Sequence, residues 1–470
     1  MTSTFFINRL AEQPHALMFA GQSNPWTVAL ADLQGDPDID KALKERMAAA
    51  TDLLRAVKPD LLATNGRQLD MFGYRPDPVR LGPAADAAVS VPGIALVQLG
   101  ALMDMDQLGY DAAQARPVAL LGHSQGIIGV HMVQEIQAAG SLKAAQGAID
   151  QILATAMLIG TAGTRQARRL GIHRQGEATP MLSVRGATRH QVEVLVDRVP
   201  GARGPISVAV TNSDRNLVLS GYPEDLAAFA IEAGKESEHQ RQLREDKVRG
   251  GTAFSPVLEY LDVTLPFHSP LMKEAVDLSV EWASHCGLDT ERARVLAEEV
   301  LLNHADWAGR IAEVMDQQDA ASLWLVDLGP GETLGKLVDN LVQGTGVGVV
   351  EASNQARRAE LSTMEEDPAR TQDWSKLAPR LLETPAGPRV ETAFSRLTGK
   401  PPVMLAGMTP TTVEPEIVAA AANAGYWAEL AGGGGGGRAG GGAGRAGGGG
   451  GGGGGGRAAG GGAGRAGAGG

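Results

Sequence analysis

The sequence predicts an α/β protein with a small βαββα subdomain inserted in its core, and three observations predict it. A short apolar run at Val118–Leu121 breaks into Gly122-His123-Ser124-Gln125-Gly126 and resumes with helix-like spacing. A second apolar run, Ala321–Val326, ends in Asp327-Leu328-Gly329-Pro330-Gly331. Between about Glu177 and Glu238, strand-like and helix-like stretches follow one another in the order βαββα. Short apolar runs that open into glycine turns and then into 3.6-residue periodicity are buried strands feeding helices.

Taken in order, His15–Ala20 is a buried strand that opens at Gly21-Gln22-Ser23-Asn24-Pro25, and loops at that end are where open α/β sheets bind ligands. Ile39–Val57 and Val91–Met103 carry apolar residues at helical spacing. In the G-x-S-x-G stretch, serine sits on a tight strand-to-helix turn whose flanking glycines avoid collisions as the hydroxyl is lifted into a cleft. Ile127–Ala139 reads as the helix behind it, stopped by Gly140, with His131 as a structural residue.

In the insert, Pro180–Arg185, Ile206–Val210 and Asn216–Ser220 read as strands, and Arg189–Val199 and Tyr222–Ala233 as helices, the second with Pro223 in its first turn. A unit of this length and order suggests a ferredoxin-like subdomain. The core is expected to resume at Val257–Pro266, before Phe267-His268-Ser269-Pro270, and Val347–Val350 completes the sheet. Charges and prolines from Ser353 to Arg389 mark a linker. Pro401–Val413 and Glu416–Gly425 form one strand, one loop and one helix, the opening of a further domain. From Gly432 to Gly470 only Gly, Ala and Arg occur. That composition buries no apolar surface and lacks the aromatics of a nucleic-acid-binding tail, so a non-native terminus is expected, such as an out-of-frame reading of GC-rich DNA.

The composition narrows the function classes. A net charge of -12, from 42 Lys+Arg against 54 Asp+Glu, disfavours nucleic acid or an anionic membrane as partner. A single cysteine, Cys286, excludes an internal disulfide and a multi-cysteine metal site and fits a reducing cytoplasm. No metal site is expected, and no unbroken run of eighteen apolar residues occurs.

Together, Gly21-Gln22, Gly122–Gly126, the insert, Phe267–Pro270 and Asp327–Gly331 resemble an acyl-CoA:acyl-carrier-protein transacylase of multifunctional type I fatty acid synthases, over roughly residues 15 to 355. Val403–Thr412 with Gly425–Gly434 is similar to the first βα unit of the flavin-dependent enoyl reductase of fungal and actinobacterial synthases. The resemblance implies an α/β-hydrolase-like acyltransferase core in two parts, 1–176 and 239–355, around the ferredoxin-like subdomain 177–238. A linker at 356–395, the incomplete start of a TIM-barrel reductase at 396–434 and a low-complexity tail at 435–470 follow. One βα unit closes no eight-stranded barrel, so the chain is expected to bind no FMN tightly and to reduce no enoyl group, and no cofactor is expected for the transferase. FMN and NAD(P)H would enter only with a complete reductase.

What the resemblance implies chemically is an acyl-enzyme. Ser124 is the expected nucleophile and His268 the base, with the backbone N–H groups of Gln125 and Gln22 as the oxyanion site. A backbone carbonyl from Asn303–Trp307 would orient the histidine. Malonyl-specific relatives place an arginine on the helix after the elbow helix. Ile159 falls at that position, and a malonyl carboxylate facing it would be uncompensated. Phe267 narrows the pocket, so a short neutral acyl group is expected, most simply acetyl. The expected partners are acetyl-CoA, acyl carrier protein and other synthase domains in the cytoplasm, and the Arg165–Arg174 cluster reads either as a dock for an acidic carrier protein or as a solvated helix end.

Alternatives are a malonyl/palmitoyl-type transacylase, an α/β serine hydrolase (thioesterase or esterase) and a non-catalytic module of a larger assembly. The hydrolase would need an acid between serine and histidine in the chain. Asp197, Asp214 and Asp225 fall in the insert, and Asp262 lies just before His268.

Overall fold

The computed structural model describes residues 5–22, 26–65, 86–246, 254–385, 387–407 and 414–431. They divide into two units, Met1–Lys376 and Leu377–Gly470.

Among the described residues of the first unit, nine strands run β1 (His15–Phe19), β2 (Ala119–Gly122), β3 (Met181–Arg185), β4 (Ser207–Ser213), β5 (Asn216–Ser220), β6 (Val257–Tyr260), β7 (Ala305–Asp306), β8 (Trp324–Asp327) and β9 (Gly348–Glu351). Four of them make a parallel sheet in the order β2-β1-β8-β9. Its strands read as unbroken apolar runs because both faces are covered. Along β1, Leu17 and Phe19 enter one core cluster while Ala16 and Met18 enter the other. The helices Ala87–Gln107, Ile127–Ala139 and Gln146–Arg169 supply the first cluster, and Trp307–Gln317 and Thr333–Val342 the second. Ala87–Gln107 is long and apolar enough to cross a membrane by composition alone, yet its most apolar window is wholly buried inside the protein.

The insert supplies strand, helix, strand, strand, helix in the expected order, through β3, Arg189–Val196, β4, β5 and Pro223–Glu245. Thr188 caps the first helix in a capping box, and Pro223 opens the second. One expectation is corrected here. Val257–Tyr260, read as the return of the core, instead pairs antiparallel with β3, and Ala305–Asp306 adds to the far edge on β4. The sheet is therefore five strands in the order β6-β3-β5-β4-β7. Without these additions, β3 and β4 would each expose a row of unpaired backbone groups.

The segment read as a linker from 356 is also corrected at its start. The helix Gln355–Leu361 packs on the core through Arg358, which is 2% exposed and donates to Asp104 Oδ2 at 2.5 Å and to the Ala352 carbonyl at 2.9 Å. A charged segment reads as solvated until one of its charges proves to be buried and paired.

In the second unit, β10 (Arg380–Thr384) and β11 (Gly387–Glu391) form an antiparallel hairpin. The two-residue strands β12 (Met404–Leu405) and β13 (Trp427–Ala428), which precede and follow the helix Pro415–Asn423 in the chain, pair with each other in parallel. Most of the expected loop before that helix, at 408–413, and the tail at 435–470 lie outside the described residues.

Candidate active site

The site is built where β2 ends. Glycine is required there by close approach: a Cβ on Gly122 would lie 2.3 Å from the Ile127 backbone nitrogen, and one on Gly126 would lie 2.0 Å from the Phe19 carbonyl oxygen. The turn holds Ser124 at φ 56°, a left-handed conformation that non-glycine residues rarely adopt and that strand-to-helix elbows impose on their central residue. His268, at the same φ of 56°, comes from the loop after β6 and is 2% exposed.

The two side chains meet, with Ser124 Oγ 2.7 Å from His268 Nε2 and His268 Nδ1 2.6 Å from the backbone carbonyl of Asn303. A carbonyl only accepts, so Nδ1 carries the proton and Nε2 presents a lone pair to the serine hydroxyl. Burial pushes the histidine's pKa from its ordinary 6.5 down to about 4, against the upward pull of the Asn303 carbonyl. The imidazole is therefore neutral at pH 7, as a base must be. Of the segment Asn303–Trp307, it is Asn303 that meets the histidine, through its main chain.

The first loop closes over the same turn. A Cβ on Gly21 would lie 2.8 Å from Ser124 Cβ, so Gln22 follows directly beside Ser124. Its amide Nε2 donates to Ser90 Oγ at 2.9 Å and to Gln125 Oε1 at 2.8 Å. The glutamine side chains thus tie together the two segments whose backbone N–H groups were assigned to an oxyanion site. That link is absent from the sequence reading, which gave Gln22 a main-chain role only. Gln125 is 1% exposed and its Nε2 has no partner among the described residues, a buried donor next to the serine.

Ile159 and Phe267 are buried in the same core cluster, at 0% and 2% exposure. The helix of Ile159 presses on the start of Ala87–Gln107, the helix of Ser90, so closely that a Cβ on Gly160 would lie 2.2 Å from the Ala87 carbonyl oxygen. The basic cluster is not a free positive surface: Arg165, Arg168 and Arg174 pair with Asp60, Asp86 and Asp262 at 3.7, 3.7 and 3.6 Å, and Arg169 pairs with Glu274.

Sequence reasoning missed His123, hidden as the variable residue of the serine motif. Its Nε2–H donates to Asn212 Oδ1 on β4 at 2.9 Å, and its ring packs edge-on against Trp307 at 5.4 Å. The insert is thereby joined to the elbow at the residue before Ser124. Burial holds the His123 pKa below its ordinary value. Among the described residues no cluster of His, Cys, Asp or Glu is placed to hold a metal.

Residues 180–260 match the family model described as the fatty acid synthase central AT domain. The chain is 30% identical over 436 residues to a fatty acid synthase subunit beta of Aspergillus oryzae, covering 78% of this chain and 20% of the relative. It is 29% identical over 298 residues to the Saccharomyces cerevisiae subunit beta, covering 55% of this chain and 14% of the relative. The chain thus aligns with about a fifth or less of the length of these relatives. Among solved structures, a malonyl CoA-acyl carrier protein transacylase from Coxiella burnetii superposes with a TM-score of 0.50 at 15% identity, over 74% of this chain and 96% of that one. An acyl carrier protein S-malonyltransferase from Vibrio cholerae gives 0.50 at 18% identity, over 74% and 99%. The fold is therefore the α/β fold of these transacylases, and the central segment resembles the acyltransferase domain of fatty acid synthase beta subunits.

Proposed function

We propose that this chain is an acyltransferase that moves a short acyl group, acetyl, from CoA to the phosphopantetheine thiol of an acyl carrier protein through an acyl-Ser124 intermediate. The observation that carries this reading is the pairing of Ser124 Oγ with His268 Nε2 at 2.7 Å while a backbone carbonyl, rather than a carboxylate, holds Nδ1.

Ser124 Oγ attacks the thioester carbonyl as its proton passes to His268 Nε2. The backbone N–H groups of Gln125 and Gln22 receive the developing oxyanion, one such donor being worth about 3 kcal/mol of barrier. Collapse breaks the C–S bond, and the departing CoA thiolate takes the proton from the imidazolium. Neutral again, His268 accepts the proton of the carrier's thiol, which attacks the acyl-serine, and the same steps run in reverse to release Ser124. No cofactor enters either half-reaction. A setting beside the other domains of a cytoplasmic type I fatty acid synthase, fungal or actinobacterial in type, accords with the resemblance to beta subunits. Residues 396–434 are read as the opening of an enoyl reductase barrel.

Acetyl is favoured over malonyl because Ile159 is fully buried in an apolar cluster, where a carboxylate finds no partner. Competition between acetyl-CoA and malonyl-CoA for Ser124 tests this. The wild type is expected to load acetyl preferentially, and Ile159→Arg to move the preference toward malonyl by roughly tenfold or more through a charge-assisted bidentate pair. Equal loading of both by the wild type would refute acetyl specificity. Acetate released in place of acetylated carrier protein would refute the transferase in favour of a hydrolase.

A further inference from the structure

The carbonyl that orients the histidine is itself held. Asn303 follows the helix Thr290–Leu301, whose last turn carries Glu299. Its Nδ2 donates to Glu299 Oε1 at 3.1 Å, and its N–H donates to the Glu298 carbonyl at 2.7 Å. The other oxygen of Glu299, Oε2, accepts from Arg310 Nη2 at 2.9 Å, while Arg310 Nη1 donates to the carbonyl of Gly122 at 2.9 Å. Gly122 is the last residue of β2, two before the nucleophile. One carboxylate thus joins the residue that orients His268 to the strand that carries Ser124. Glu299 and Arg310 are 29% and 34% exposed, and so exposed a pair adds little to global stability. Its effect on the site is separable from an effect on the fold.

The geometry points to Glu299 as the acidic positioning residue of this site, holding the Asn303 carbonyl against His268 while Arg310 ties the same carboxylate to the elbow. This rests on the reading of Ser124 and His268 as nucleophile and base. A serine triad places a carboxylate against the imidazole, where it orients the ring and stabilises the imidazolium. Here a neutral carbonyl makes the contact, and the charge stands one side chain further back. The groups bearing on His268 from the surrounding elements are His123 on the elbow and His304 after the helix, which both oppose its protonation, and Glu299, which favours it. Glu299 also bears on His131, on the helix behind the elbow, together with Arg292 and Glu135.

The test uses the full chain and two reactions of Ser124, phosphonylation by a fluorophosphonate probe and acetylation by acetyl-CoA, each followed across pH. Glu299→Gln keeps the size of the side chain but turns one acceptor into a donor, so one of its two bonds fails. Its probe rate is expected to fall roughly tenfold. The midpoint of its acid limb should move to lower pH, because the carboxylate that favours the imidazolium is gone. Arg310→Lys, which keeps the charge of Glu299 in place, should slow the reaction with little change in midpoint, and Glu299→Asp should recover part of the rate. A slower Glu299→Gln with an unmoved midpoint, or a Glu299→Gln as fast as wild type, overturns the proposal. If Glu299→Gln loses its folded circular dichroism spectrum, Glu299→Asp and Arg310→Lys decide by rate: both are expected to be slower than wild type with little change in midpoint, and both as fast as wild type overturns the proposal. A wild type that reacts with the probe but never forms acetyl-Ser124 refutes acyl transfer, with Glu299 still judged by the probe rates. A wild type inert to both refutes the nucleophile and Glu299 together.

Discussion

Lowering the pH is the sharpest perturbation of this site, because His268, the proposed base, is buried. His268 has a pKa of about 4 in place of 6.5, chiefly through desolvation. At pH 6 an ordinary histidine is roughly three-quarters protonated and useless as a base, whereas His268 is protonated in roughly one molecule in a hundred. The rate of Ser124 acetylation in a single turnover, measured by rapid quench, is therefore expected to stay level from pH 7.5 to about 5 and to halve near 4. The same shift has a stability consequence whose sign is fixed. The unfolded chain takes up this proton near pH 6.5 and the folded chain only near 4. Between those values the unfolded state binds more protons, and stability falls as the pH falls. The total is about 3 kcal/mol, complete below pH 4. Urea unfolding of wild type and His268→Gln from pH 7.5 to 4 isolates it, since the variant lacks this term while retaining the depressed His15, His123 and His131. An acid limb centred near 6.5, or parallel stability curves for the two proteins, would refute a buried neutral base.

Two further outcomes follow from packing. Gly126→Ala places a methyl group 2.0 Å from the Phe19 carbonyl oxygen, so β1 or the elbow must shift. Its acetylation rate is expected to fall at least a hundredfold, with a stability loss of about 1–3 kcal/mol, read by rapid quench and thermal unfolding. Arg358→Met leaves Asp104 as an unpaired buried carboxylate, with the two side chains 2% and 6% exposed. Denaturant unfolding should show a loss of about 3–5 kcal/mol, largely recovered when Asp104→Leu is added. A single variant as stable as wild type would show that the pair is solvated.

Much of this molecule is legible in its sequence, and the rest is hidden for physical reasons. β1, β2 and β8 announce themselves because a parallel strand covered on both faces must be apolar throughout. The elbow announces itself because two glycines are forced by contacts of 2.3 Å and 2.0 Å. The sheet that β6 joins does not, because its four half-exposed residues fit a return to the core as well as a pairing with β3, and β7, with only two residues, makes no apolar run. Asn303 acts through its carbonyl, which any residue carries, so no side chain marks it. Gln22 looks like an ordinary loop residue until Ser90 and Gln125 are brought to it from 68 and 103 residues away. Glu299 and Arg310 read as surface charges, and only the fold places the Gly122 carbonyl within reach of Arg310. The helix Gln355–Leu361 shows the converse, since Arg358 is buried although its neighbours in sequence are solvated.

The central claim is that Ser124, activated by His268, carries an acyl group from CoA to a carrier protein. Intact-protein and peptide mass spectrometry after brief exposure to acetyl-CoA measures it directly. One acetyl group should appear on the peptide that contains Ser124, be absent from Ser124→Ala and nearly absent from His268→Ala, and move to the phosphopantetheine thiol when carrier protein is added. An unmodified Ser124 peptide in the folded wild-type protein, or an acetyl group that leaves as acetate with carrier protein present, would contradict it.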